Sequence, residues 1–234
     1  GITELPDCFA PSQLVRLTLS RNNLTGFPST FCTAARSLRV LSLLQNRLHE
    51  LPAAFAHLTA LERLDLSQNE LTSLPDEFGQ LRHLRFLFLQ NNRLQKLPPA
   101  LGSIAALERL NLHANQLTDI PEALGGLAVL KELDLSKNRM KSLPDSIAGW
   151  QALRHLVLSH NRLEELPVAI YRLRALECCC LTENRLTAWP TSADNSAILS
   201  ALRHLDCSHN MLPKRGSLPV AFSAVLRRGR CFLA

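Results

Sequence analysis

One asparagine recurs along this chain at Asn22, Asn46, Asn69, Asn92, Asn115, Asn138, Asn161, Asn184 and Asn210. The spacing is 24 residues, then 23 six times, then 26. Segments 61–83, 84–106, 107–129, 130–152 and 153–175 align on one another without a gap; the first reads LERLDLSQNELTSLPDEFGQLRH. Units in the same register begin upstream at Leu14 and Leu38 and downstream at Leu176 and Leu202. Self-similarity at such a period restricts the chain to a stack of one supersecondary unit, because a single unit cannot bury its apolar face alone.

Each slot of the pattern L-x-x-L-x-L-x-x-N-x-L-x-x-L-P-x-x-h-x-x-L-x-x has a physical reading. The last two leucines of L-x-x-L-x-L lie on one face of a strand and point inward. The leucine after Asn and the one before Pro close the coil. Pro75 and its equivalents lack a backbone N–H and fix φ, which suits a turn into the opposite side. Phe78, Leu101, Leu124, Ile147 and Ile170 then pack back onto the leucines. The asparagine offers two donors and an acceptor, enough to satisfy turn backbone left unpaired inside the coil. A catalytic asparagine would not recur in every unit.

This pattern resembles the leucine-rich repeat over essentially the whole chain. The resemblance implies an α/β solenoid: a horseshoe with a concave parallel β-sheet and short helical or irregular convex segments. The 23-residue form with Leu-Pro is similar to intracellular members such as the Ras-suppressor and Erbin-like scaffolds. Extracellular members usually carry cysteine-rich caps, and no such cap is visible here. Residues 1–234 are expected to form a single domain. Residues 1–13 read as a partial N-terminal repeat, with Ile2, Leu5, Pro6 and Phe9 in the slots of a back half. Residues 14–201 read as eight repeats, the eighth with a longer loop at 191–197. Residues 202–234 read as an irregular final repeat, its turn stretched through 213–217, and a tail without a capping pattern.

Composition narrows the setting. No run approaches 18 uncharged apolar residues, so no membrane span is expected. The chain begins at Gly1, as a fragment would, with no signal-peptide pattern; an export signal already removed would leave the same start. The cysteines Cys8, Cys32, Cys178, Cys179, Cys180, Cys207 and Cys231 are odd in number with three in a row. That is a poor disulfide framework and fits a reducing, cytoplasmic location. The net charge of +6 excludes little.

With the leucines assigned inward, function falls to what they leave over. The third position of each unit reads Arg16, Val40, Arg63, Phe86, Arg109, Glu132, His155, Cys178, His204, and the fifth reads Thr18, Ser42, Asp65, Phe88, Asn111, Asp134, Val157, Cys180, Asp206. Adjacent strands lie about 4.8 Å apart, so each series is a ladder of neighbouring side chains on the concave face. Phe86 and Phe88 are expected to sit exposed near its middle, flanked by Arg63 and Arg109. Aromatics ringed by arginine match the composition of binding hot spots. The expected partner-binding residues are Phe86 and Phe88 as apolar anchors, with Arg63, Asp65, Arg109, Asn111, Glu132, Asp134 and His155 around them. The alternative is that phenylalanine simply suits strands and the arginines stack on it intramolecularly.

Two further features stand out. His155, Cys178 and His204 share one ladder, with Cys180 and Asp206 in the next. His and Cys ligate zinc, but no C-x-x-C spacing accompanies them and ladder side chains point parallel, so no metal or cofactor is assigned. Arg47, Arg93, Arg139, Arg162 and Arg185 form a basic stripe along one rim, read first as solvated charge and next as a face for an acidic partner. Nucleic acid ranks last, because no aromatic stacking platform accompanies these arginines.

No G-x-S-x-G, H-E-x-x-H, phosphate-binding or kinase-like glycine loop is present. Asp65 and Asp134 lie three strands apart, about 14 Å, too far for a paired acid and base. The chain is therefore read as a non-enzymatic protein–protein interaction module in scaffolding or signalling. The family resemblance points to a small GTPase or a phosphatase as partner. The rival reading is the substrate-targeting arm of a larger GTPase, kinase, phosphatase or ubiquitin ligase.

Overall fold

The computed structural model describes residues 1–6, 12–190 and 201–212, and the backbone of 231–232. Phe9, the 191–197 loop, the 213–217 turn and most of the tail lie outside the described residues. Three-residue strands recur once per repeat: β1 (Arg16–Thr18), β2 (Val40–Ser42), β3 (Arg63–Asp65), β4 (Phe86–Phe88), β5 (Arg109–Asn111), β6 (Glu132–Asp134), β7 (His155–Val157), β8 (Cys178–Cys180) and β9 (His204–Asp206). The tail adds β10 (Cys231–Phe232) beside β9. All are parallel and follow one another in chain order, and each connection from β1 to β8 carries the chain around one coil. The architecture is the expected α/β solenoid.

The opposite side is helical in short pieces. A six-residue α-helix, α1 (Ser29–Ala34), is followed by 3-10 segments Ala53–His57, Asp76–Gln80, Pro99–Ser103, Glu122–Gly126, Asp145–Gly149 and Val168–Arg172. Each 3-10 segment starts immediately after the repeat proline; Pro75, for instance, has φ −67° and ψ 148°. Proline supplies the extended residue that turns the chain, and the few residues before the next buried leucine leave room only for a tight single turn. Neighbouring segments approach closely: a Cβ added at Gly102 would lie 1.9 Å from the Ala123 carbonyl oxygen.

The interior is a column of leucines. Leu64, Leu66, Leu87, Leu89 and Leu112 are fully buried, whereas the first-coil equivalent Leu17 is only partly covered. A phenylalanine spine runs through the first coils, with Phe27 edge-on to Phe31 at 5.1 Å and Phe55 stacked on Phe78 at 5.9 Å. Trp150 fills a leucine slot, and its indole N–H donates to the Leu124 carbonyl of the preceding coil at 2.8 Å.

The asparagines clamp successive coils. Asn92 accepts from the Leu71 N–H at 3.0 Å and donates to the Leu66 and Leu89 carbonyls, each at 3.0 Å. Asn46, Asn69, Asn115 and Asn138 repeat the arrangement. At the first coil Asn22 accepts from the Ile2 N–H at 2.8 Å, although the Ile2 side chain is exposed. The residue before each asparagine, from Arg21 to His209, adopts a left-handed φ between 53° and 60°.

Candidate functional site

The concave sheet presents the two ladders in direct register. Arg63 pairs with Phe86 and Phe86 with Arg109; Asp65 pairs with Phe88 and Phe88 with Asn111. Glu132 and Asp134 follow on β6, and His155, which is exposed, on β7. Alternation along β4 buries Leu87 and turns Phe86 and Phe88 outward, yet both rings are half-buried rather than exposed. The cover comes from arginine. The Arg63 guanidinium lies 4.5 Å from the Phe88 ring centroid and 5.9 Å from that of Phe86. The Arg85 guanidinium also lies over Phe86, at 5.5 Å.

Arg109, the other expected flank, turns away. Its Nη2 donates to Glu132 at 2.5 Å, tying two of the candidate residues to each other. The candidate carboxylates are also partly committed. Asp65 Oδ1 accepts from the Ser67 N–H and hydroxyl, and Asp134 Oδ1 accepts from Ser136 in the same way. Asn111 Oδ1 accepts from the His113 N–H at 3.0 Å. These local hydrogen bonds restrict the three side chains where they leave the sheet.

Arg85 belongs to a column that the sequence reading did not isolate. The second position of each unit alternates in charge from Arg39 to Lys131, and several of its members pair across strands. Arg39 meets Glu62 at 2.9 Å, Arg85 Nε meets Glu108 at 2.6 Å, and Lys131 meets the same Glu108 at 2.6 Å. The signal was the sign alternation itself. On the rim, Glu70 interrupts the arginine stripe and pairs with Arg93 at 2.8 Å. Arg47, Arg139, Arg162 and Arg185 are exposed and form no ion pair among the described residues.

The cysteine cluster differs from its sequence reading. The side chains brought together are Cys178, Cys180 and His204, whose ligand atoms all lie within 4.8 Å of one another. His155, one strand earlier, does not join them. Cys178 Sγ is 3.9 Å from Cys180 Sγ. Burial, and then the neighbouring Cys178 thiol, push Cys180 up to about 12. Cys179 sits in a leucine slot, buried, and its thiol is raised by burial. No helix among the described residues is long and apolar enough to cross a membrane.

Comparison with known proteins matches this geometry to one family. A model described as a leucine-rich repeat region covers residues 17–136, and further leucine-rich repeat models cover 129–186 and 201–225. A search of curated proteins finds no match. Among solved structures, a TDR receptor superposes with a TM-score of 0.81 at 26% identity, over 95% of this chain and 39% of the receptor. The PEPR1–AtPEP1 complex gives 0.78 at 29% identity, over 90% of this chain and 30% of that one. An internalin, InlF of Listeria monocytogenes, gives 0.77 at 21% identity, over 94% and 61%, and shares the fold alone. The chain thus spans less than two thirds of each of these three.

Proposed function

The chain belongs to the leucine-rich repeat family, and from that premise we propose that its concave sheet binds another protein, with Phe86 and Phe88 as the apolar centre. The observation that carries this reading is an outward-facing aromatic pair in a ladder that is otherwise mostly polar. Arg63, Asp65, Arg109, Asn111, Glu132, Asp134 and His155 surround it and set specificity. An apolar centre with a charged surround is the anatomy of a recognition surface. Of the similar structures, PEPR1 is seen with AtPEP1, and the plant peptide hormone receptor RGFR1 with RGF2. The parallel is one of fold, and the residues of the face here are this chain's own.

We read residues 1–234 as one domain serving a scaffolding or signalling role in the cytoplasm. The thiol-rich composition supports that compartment. A small GTPase or a phosphatase is the partner class that the family resemblance favours. A second reading is that this array targets a larger enzyme, as suggested by one similar structure being the LRR ectodomain of a plant membrane receptor kinase. In both readings the array itself binds rather than catalyses.

The test is affinity capture with mass spectrometry, comparing the native protein with the F86A/F88A variant. A protein recovered by the native chain and titrated in purified form should bind the variant about 30-fold or more weakly, the equivalent of roughly 2 kcal/mol for a hot spot. Equal affinity for both proteins refutes the assignment.

A further inference from the structure

We propose that Cys178, Cys180 and His204 form a binding site for a thiophilic divalent cation of the zinc class on the last regular strands of the sheet. Residues two apart on a strand share a face, so Cys-x-Cys on β8 places both thiols outward while Cys179 points into the core. The register with β9 sets His204 beside Cys178 and Asp206 beside Cys180. Two thiolates bound to one tetrahedral zinc at about 2.3 Å lie about 3.8 Å apart. The two sulfurs here are already 3.9 Å apart. A thiolate and an imidazole nitrogen on the same ion lie about 3.5 Å apart, so from its place within 4.8 Å the His204 nitrogen has at most about 1.3 Å to close on each sulfur.

The surroundings suit a cation. All three side chains are half-buried, which leaves a path for the ion and screens it from bulk water. Asp206 supplies negative charge next to them. Its Oδ1 accepts from the Ser208 N–H at 3.1 Å and hydroxyl at 2.7 Å, which fixes it beside Cys180. Binding exchanges two S–H protons, released to solvent, for two S–metal bonds, and a water fills the fourth position. Thiolate ligands select zinc-like ions over magnesium and calcium. The site lies four strands from Phe88, and its Cys178 is the register neighbour of His155 at the edge of the proposed partner face.

Cobalt(II) is the probe. The full chain, reduced and stripped of metal, is titrated with Co²⁺ and then with Zn²⁺. One equivalent should produce the ultraviolet thiolate-to-cobalt band and the visible bands of a tetrahedral ion, both abolished by zinc. C180S and H204A should each weaken binding by at least about 100-fold, more than loss of an outer-shell contact. C179L, which restores the leucine of the other repeats, should bind as the native chain does, and circular dichroism checks that each variant is folded. Absence of the thiolate band, or a titration unchanged in C178S/C180S, overturns the proposal; the second result would place the metal on cysteines elsewhere, such as Cys8 or Cys231.

Discussion

Arg63 lies over Phe88, its guanidinium carbon 4.5 Å from the ring centroid, although the two sit on neighbouring strands and different rungs of the sheet. The central aromatics are thus engaged by the protein's own arginine, and a partner meets a composite of guanidinium edge and aromatic face. The contact contributes about 0.5–1 kcal/mol at a partly exposed site. A double-mutant cycle of R63A and F88A, read by urea denaturation, should give a coupling energy of that size. Zero coupling would mean that the two side chains are merely adjacent.

Asn92 carries three hydrogen bonds between two coils, from Leu71 N–H and to Leu66 and Leu89 carbonyls, at a site with 8% exposure. N92A leaves the Leu71 N–H buried and unpaired, at about 1–3 kcal/mol, while the Leu66 and Leu89 carbonyls keep Asn69 and Asn115 as donors. The expected loss is therefore about 1–3 kcal/mol in the denaturation free energy. Because each coil leans only on its neighbours, the unfolding transition should also broaden. A loss below about 1 kcal/mol would mean that water replaces the side chain.

The leucine, asparagine and proline slots were legible because each demands one residue type and recurs on every turn. The outward direction of Phe86 and Phe88 followed from the same alternation. Their half-burial did not, since it depends on where Arg63 and Arg85 lay their side chains. The meeting of Cys178 and Cys180 with His204 was hidden for the same reason: register places them side by side, but rotamers decide whether their ligand atoms converge. The left-handed residue before each asparagine left no mark at all. Arg21, Gln45, Ala114, Lys137 and Glu183 hold that position where glycine would have announced it.

That hidden conformation makes Ala114→Gly a stabilising change. Ala114 has φ 53° and no polar side chain to offset the clash of its Cβ. An L-residue in this region costs about 1–2 kcal/mol, and glycine returns about 0.5–1 kcal/mol through its greater unfolded-state freedom. A net gain of about 0.5–1 kcal/mol is expected, seen as a higher denaturation midpoint with an unchanged slope. A lower midpoint would refute the account.

Gly102→Ala should act in the opposite direction. The added methyl meets the Ala123 carbonyl oxygen at 1.9 Å and its carbon at 2.5 Å, both backbone atoms of the next coil. Overpacking of this kind costs about 1–3 kcal/mol. Gly26 is the control, since an added Cβ there meets nothing within 4 Å and G26A should be close to neutral. Equal stability of the two variants would show that the convex segments are not packed as described.

Glu108 links three strands and should make part of the stability depend on pH. Its side chain is 18% accessible; Oε2 accepts from Lys131 Nζ and Oε1 from Arg85 Nε, each at 2.6 Å. These hydrogen bonds, Lys131 first and Arg85 second, hold its carboxyl below the ordinary value. Since the folded pKa lies below the unfolded one, near 4.3, the contribution is fully present above that pH. It is lost as pH falls through the lowered folded value. E108Q should therefore cost up to about 1 kcal/mol at neutral pH, the range of a surface ion pair, and nothing once the pH is below the lowered folded value. K131A should move the Glu108 carboxyl back toward the ordinary range in an NMR titration. The same change should turn Arg85, which also covers Phe86 at 5.5 Å, into the only cation holding Glu108 across the β4–β5 pair. A Glu108 carboxyl that titrates at or above the ordinary value in the native chain would break this link.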